Sequence, residues 1–199
     1  IPEYGVLKGI GYSIFHAVSA FCNAGFDFTG DSFISFSNSL PTISTISLLI
    51  ILGGLGFSVI IDTGKNKKWR RFSLHTKLVL VMTISLIVIG GIFFLVLEYN
   101  NPYTIGNLPL NEKLLSSLFA SIVPRTAGFN SIDVGAMEQS SAFLTIILMF
   151  IGGSPGSTAG GIKTATFGVI ALATYNFIKG ERELEIFKRR ISTDIIIKS

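Results

Sequence analysis

Two stretches of this chain run without a charged side chain for long enough to cross a bilayer, and that decides the solvent in which it folds. Leu40–Ile61 is 22 residues and Leu78–Leu97 is 20 residues without Asp, Glu, Lys or Arg. A helix needs ~20 apolar residues to cross a ~30 Å hydrocarbon core. Only 14% of the 199 residues are charged, against roughly 25% in soluble proteins, and the mean hydropathy is +0.61. These values exclude an ordinary soluble domain and predict an all-α transmembrane fold, because lipid offers the backbone no hydrogen-bond partners.

Charge then orients the spans. Lys65, Lys67, Lys68, Arg70, Arg71 and Lys77 crowd the loop 65–77, with Trp69 as an interface anchor. Lys179, Arg182, Lys188, Arg189 and Arg190 mark 179–199. Basic loops stay in the cytoplasm, so both segments are read as cytoplasmic and the loop after Glu98 as external. The single cysteine, Cys22, excludes an internal disulfide and a multi-cysteine metal site. The chain opens Ile-Pro-Glu-Tyr without a leader signature, which is read as a piece of a longer polypeptide.

Two apolar segments are too short to cross. Residues 10–23 would make ~20 Å of helix, and 112–123 are shorter still. Each is followed by the same tripeptide, in Asn23-Ala24-Gly25-Phe26 and in Thr126-Ala127-Gly128-Phe129, with Gly25 and Gly128 103 residues apart. Each short helix is expected to enter from outside and stop within the membrane. Its C-terminal end then carries about −0.5 elementary charge, which favours a cation. Glycine permits a positive φ without a Cβ clash, so successive carbonyls can face one axis and replace the hydration shell of a potassium ion. The carbonyls of Asn23, Gly25, Thr126 and Gly128 are the candidate K⁺ ligands. The plainer alternative is a helix-packing turn that recurs by coincidence.

The last apolar region, Ser140–Ile178, is interrupted only by Lys163 and would make ~58 Å of continuous helix, about twice what a bilayer needs. It holds Gly152-Gly153-Ser154-Pro155-Gly156-Ser157-Thr158-Ala159-Gly160-Gly161, with five glycines and a proline in ten residues. Such a stretch cannot continue a helix. Two half-helices joined by a loop at membrane depth are predicted, with the loop as a gate or, more plainly, a kink. Lys163 either snorkels to the cytoplasmic side or acts on the path, by bonding loop carbonyls or by limiting cation passage in the closed state. Gly156 to Thr164 imitates a phosphate-binding loop, but Ile162 stands where the lysine belongs and no strand precedes it. No nucleotide is expected on this chain.

The order reads as repeated units. Residues 1–64 form a pore-loop unit lacking its first span, 65–77 the cytoplasmic basic loop, and 78–180 a complete unit ending in the one broken span. Residues 181–199 lead towards another, and Leu184, Phe187 and Ile191 there suggest an interfacial or partner-docking amphipathic helix. Arg125 reads as a scaffold residue that pairs with an acid or carbonyls, and His16 as a satisfied core histidine. Asp27 and Asp31 read as mouth or solvated acids, and Gly53, Gly54 and Gly56 as helix packing.

The turns and the Gly/Ser/Thr loop at 152–161 together resemble the Trk/Ktr/HKT superfamily of potassium transporters, most closely the membrane subunits of bacterial Ktr systems. The resemblance covers essentially the whole chain. It implies four units in one polypeptide around a central ion pore, with Gly25 and Gly128 as two of four filter glycines and 152–161 as an intramembrane gate. It further implies K⁺ as the transported ion, Na⁺ as a coupling or activating ion, and a bacterial plasma membrane. A homodimer and a cytoplasmic ring that binds ATP or ADP and NAD(H) are also implied. Nothing in the sequence points to nucleic acid.

The filter so implied is asymmetric, since Asn23 stands where Thr126 stands in the other copy. It also differs from the Thr-Val-Gly-Tyr-Gly strand of potassium channels. A rival reading is a secondary transporter that binds another cation or solute at the discontinuous helix 152–161. Such repeats are usually inverted, whereas these run in one direction. A membrane enzyme would need an acid or histidine pair within the spans, and the sequence has none.

Overall fold

The computed structural model describes residues 5–28, 30 and 32–179, with the backbone of 184–186 and 189–191. Asp31 lies outside the described residues. Among the described residues seven α-helices run in order: α1 Val6–Phe21, α2 Leu40–Leu55, α3 Phe57–Lys65, α4 Leu74–Glu98, α5 Leu110–Ile122, α6 Gln139–Phe150 and α7 Thr164–Ile178. Two short strands follow, β1 Leu184–Ile186 and β2 Arg189–Ile191.

Each short helix packs along a neighbour. The short helix α1 lies along α2, and the short α5 lies along α4, with α2 and α5 touching between them. α4 begins on Ser73, whose Oγ accepts the Thr76 N–H at 3.1 Å. This cap occupies one of the donors that a helix start leaves unpaired. At 25 residues α4 is long and apolar enough to cross a membrane. Its Gly90 and Gly91 form the notch for α5: methyl groups there would lie 3.1 Å from the Ser121 Cβ and 3.0 Å from the Leu118 side chain. Ser121 Oγ then donates to the Ile87 carbonyl of α4 at 2.9 Å.

α4 ends on Glu98, which has no solvent exposure. Its carboxylate accepts from Asn101 Nδ2 and Thr104 Oγ1, both at 2.7 Å, and from the Glu138 N–H at 2.9 Å. One buried acid thereby fixes the loop after α4 and the start of α6. Expected only as an external loop acid, it is the organising residue of that end.

The expected span Leu40–Ile61 is not one helix. α2 stops at Leu55, Gly56 takes φ +81°, and α3 leaves at 97°. Gly56 takes a left-handed conformation that ends the helix, and the carbonyls that the break leaves without intrahelical donors are taken up by the loop 152–161. There are thus two breaks, this one and the expected one between α6 and α7. The expected helix at Leu184, Phe187 and Ile191 is also corrected. β1 and β2 pair antiparallel with Leu184 opposite Ile191 and Glu185 opposite Arg190; Phe187 lies outside the described residues. Leu184 and Ile186 alternate about Glu185, so the pattern satisfies a strand period as well as a helical one.

The largest core joins both halves. Ala20, Ile43, Ile46, Ile50, Phe119, Ile122, Val123, Ala127 and Phe129 form one buried cluster. The two Ala-Gly-Phe turns therefore share a scaffold rather than hanging from separate ones.

Candidate functional site

Each turn begins where a short helix ends. After α1, the Cys22 N–H donates to the Val18 carbonyl, Asn23 to Ala20 and Ala24 to Ser19, at 2.9–3.1 Å. Ser19 Oγ donates to the Phe26 carbonyl at 3.0 Å, folding the outgoing strand back onto its helix. After α5, the Val123 N–H donates to Phe119 and Ala127 to Val123, both at 3.0 Å.

The conformations then repeat. Asn23 and Gly25 have φ of +51° and +69°, and Thr126 and Gly128 have +71° and +75°. Two left-handed residues separated by one ordinary residue reverse the chain in the same way twice. The sequence repeat is thus a backbone repeat, including at Asn23 and Thr126, where the side chains differ.

The turns meet. A methyl group on Gly25 would fall 2.6 Å from the Ala127 carbonyl oxygen and 2.9 Å from the Gly128 Cα; one on Gly128 would fall 3.2 Å from the Gly25 Cα. Among the described residues nothing donates a hydrogen bond to the carbonyls of Asn23, Ala24, Gly25, Thr126, Ala127 or Gly128. Ala24 and Gly128 are exposed and Gly25 and Thr126 half-buried, so these six oxygens, without a donor on two touching turns, are open to a ligand and form a concentrated source of cation ligands.

Their surroundings differ. Phe129 has no exposure and packs edge-on against Phe33, with ring centroids 5.1 Å apart, whereas Phe26 is 68% exposed. The first turn is braced by His16, whose Nε2 is 3.0 Å from Asp27 Oδ1 and whose Nδ1 is 2.8 Å from the Tyr12 carbonyl. Asp27 Oδ2 also accepts the Ser32 N–H at 2.8 Å. His16 is hydrogen-bonded at both nitrogens within aromatic packing, as expected of a satisfied histidine. Asp27 is a brace rather than a free acid at the mouth. Arg125, beside the second turn, is 6% exposed and its Nε has no partner, so the expected scaffold pairing is not made among the described residues. A cavity of about 380 Å³ opens beside that turn, lined by Phe94, Phe119, Val123, Thr126, Gly128 and Met149 among others.

The loop between α6 and α7 closes on itself and on everything near it. The Gly152 and Gly153 N–H groups donate to the Ile162 and Gly160 carbonyls at 3.0 and 3.2 Å. Gly152 packs directly on the Gly160 carbonyl, where no side chain could fit. The Ser154 and Thr158 N–H groups donate to the Gly54 and Gly53 carbonyls at 2.9 and 3.2 Å. Ser154 Oγ bonds the Leu55 carbonyl, and the Phe57 N–H returns a bond to Gly156 at 3.2 Å. The loop therefore caps both sides of the break at Gly56. Gly53, expected as helix packing, packs against the Phe21 carbonyl and Asn23. Lys163 Nζ donates to the Ala159 carbonyl at 2.9 Å, which is the loop-bonding arrangement of its two expected ones.

The same loop touches both turns. Asn23 Nδ2 donates to Thr158 Oγ1 at 2.8 Å, and Thr158 Oγ1 donates to the Phe21 carbonyl at 2.9 Å. The Gly160 N–H donates to Thr126 Oγ1 at 3.1 Å. Asn23, Thr126, Thr158 and Gly160 are candidates from the sequence, Phe21 is not, and no local pattern shows that they touch.

Short helices that end in paired turns of unpaired carbonyls, beside broken apolar helices, are the parts of a membrane transport fold. The chain belongs to the TrkH family of cation transport proteins, whose pattern it matches over residues 1–199. It is 45% identical to Ktr system potassium uptake protein B of Bacillus subtilis over 200 residues, covering 100% of this chain and 45% of that protein. To the potassium/sodium uptake protein NtpJ of Enterococcus hirae it is 43% identical, covering 100% of this chain and 44% of that protein. The crystal structure of the potassium transporter TrkH from Vibrio parahaemolyticus superposes with a TM-score of 0.78 at 16% identity, covering 93% of this chain and 40% of that one. The chain spans about 45% of the length of the curated relatives it matches. Family and fold are therefore as the resemblance implied.

Proposed function

We propose that this chain forms half of a pore that takes potassium ions into a bacterial cell across the plasma membrane, with segments 65–77 and 179–199 on the cytoplasmic side. The observation that carries the reading is the meeting of two turns whose carbonyls are left unpaired. Asn23 to Phe26 and Thr126 to Phe129 supply two of four filter strands, and the carbonyls of Asn23, Gly25, Thr126 and Gly128 bind K⁺. The remaining repeats of a longer polypeptide close the ring and provide Arg125 with an acid or carbonyl partner. Residues 152–161 with Lys163 form the gate below it. Sodium as an activating ion, a homodimer and a cytoplasmic nucleotide-binding ring complete the assembly; this chain itself binds no nucleotide.

The relatives' names support the ion. Potassium uptake appears in the Bacillus name, and potassium with sodium in the Enterococcus one. The test uses the full-length protein in vesicles. Gly128→Ser restricts the orientation of a filter carbonyl and is expected to lower the ratio of rubidium to sodium uptake, while an unchanged ratio would reduce Gly128 to packing. Deleting part of 152–161 is expected to raise flux. A folded deletion protein with wild-type flux would remove the gate.

A further inference from the structure

The loop 152–161 is bonded to the filter turns themselves, and to both at the same place. In each turn the contact is made at the first left-handed residue, Asn23 in one and Thr126 in the other. Thr158 is the busiest of the contacting groups. Its N–H holds the Gly53 carbonyl of α2, its hydroxyl donates to the last carbonyl of α1, and the same oxygen accepts from Asn23. The end of α1 and the turn that follows it meet on the Thr158 hydroxyl, while the backbone of the same residue holds the broken helix. On the second turn the bond comes from the backbone of Gly160, two residues along.

Left-handed conformations at these two positions need outside support. A non-glycine residue with positive φ is uncommon, and a β-branched one such as Thr126 is a genuine outlier. Such conformations persist only where the surroundings over-determine them. At Asn23 and Thr126 part of that surrounding is the loop. The Asn23 side chain is also buried, with Oδ1 unpartnered, so its Nδ2 bond to Thr158 is its principal polar anchor.

From this we infer that the loop is a positioning element for the filter as well as a barrier beneath it, with Thr158 as the positioning residue. The inference rests on the gate reading above and adds to it that opening and ion discrimination are coupled. When the loop withdraws, the bonds from Thr158 to Asn23 and from Gly160 to Thr126 break together. Both turns then lose the support that holds their carbonyls in register. A loop that only occluded the path would leave the turns as they are.

The experiment compares full-length wild type with Thr158→Val, which keeps the shape and removes the hydroxyl, and with Thr158→Ser, which keeps the hydroxyl. Rubidium and sodium uptake are measured separately in vesicles. Thr158→Val is expected to lower the rubidium-to-sodium ratio about fivefold, the factor corresponding to one net hydrogen bond; Thr158→Ser should recover most of the wild-type ratio. Altered flux with an unchanged ratio would overturn the coupling while leaving the gate intact. Equal loss in both variants would make Thr158 a packing residue and also overturn it.

A second measurement is independent of how well Thr158→Val accumulates. Amide exchange is followed in wild type and in the loop-deleted protein. Coupling predicts faster exchange at 23–26 and 126–129 after deletion, and unchanged protection there contradicts it. Failure of the gate reading is separately recognisable, as wild-type flux in the deletion protein.

Discussion

The two Ala-Gly-Phe turns share a backbone and almost nothing else. Both place a left-handed residue just before the alanine and another at the glycine, and among the described residues neither those carbonyls nor the alanine's accepts a hydrogen bond. Yet the first is braced by a hydrogen-bonded histidine and aspartate and exposes its phenylalanine. The second buries its phenylalanine and lies beside a buried arginine whose Nε has no partner among the described residues. The first is anchored to the loop by two side chains, the second by a backbone N–H onto a threonine hydroxyl. Conformation is what the repeat preserves, and each copy reaches it by its own local means. That is the pattern expected if the backbone oxygens do the work.

The comparison breaks most visibly at the glycines. Gly25→Ala adds a Cβ that overlaps the Ala127 oxygen and the Gly128 backbone, neither of which can move aside cheaply. The left-handed conformation alone costs about 1–2 kcal/mol, and the overlap adds to it. Gly128→Ala meets only a 3.2 Å contact with the Gly25 Cα. Gly25→Ala is therefore expected to reduce rubidium uptake and thermal stability of the full-length protein more than Gly128→Ala. Equal losses would mean that the turns do not meet as described.

Next in size is the brace on one side only. His16→Ala removes both bonds made by the imidazole and is expected to cost about 2 kcal/mol, in the range for hydrogen bonds to charged groups. Chemical denaturation of the purified protein measures this. Amide exchange should rise at 24–28 and stay unchanged at 127–130, whereas a change in both segments would merge the two supports into one.

The smallest effect sharpens the asymmetry at the paired positions. Asparagine tolerates the left-handed region and a β-branched residue does not. Asn23→Thr should therefore destabilise by about 1 kcal/mol, while Thr126→Asn relieves conformational strain and offsets part of its lost packing. Denaturation midpoints of the two single variants decide whether the ordering holds.

Much of this was legible in the residues. Hydropathy gave α4, segment length gave the two short helices, and the recurrence of Ala-Gly-Phe gave the turns. Glycine and proline density gave the break between α6 and α7. What stayed hidden has physical reasons. A hydropathy run counts residues but not direction, so the bend at Gly56 was masked by apolar neighbours on both sides, although Gly53, Gly54 and Gly56 are a helix-stop signal. The anchoring role of Thr158 depends on a partner 135 residues away, and no local pattern encodes that. Glu98 passed as a loop acid because its donors, Asn101, Thr104 and Glu138, are ordinary polar residues until the chain folds them inward. The β1–β2 segment satisfied two periods at once.

The central claim is that oxygens from both turns converge on one ion path, and rubidium density tests it most directly. Crystals of the full-length protein grown with rubidium should give an anomalous peak between the Asn23–Gly25 and Thr126–Gly128 carbonyls, at coordination distance from both. Turns that face lipid, or a rubidium-loaded map with density elsewhere and none between those carbonyls, would contradict the account.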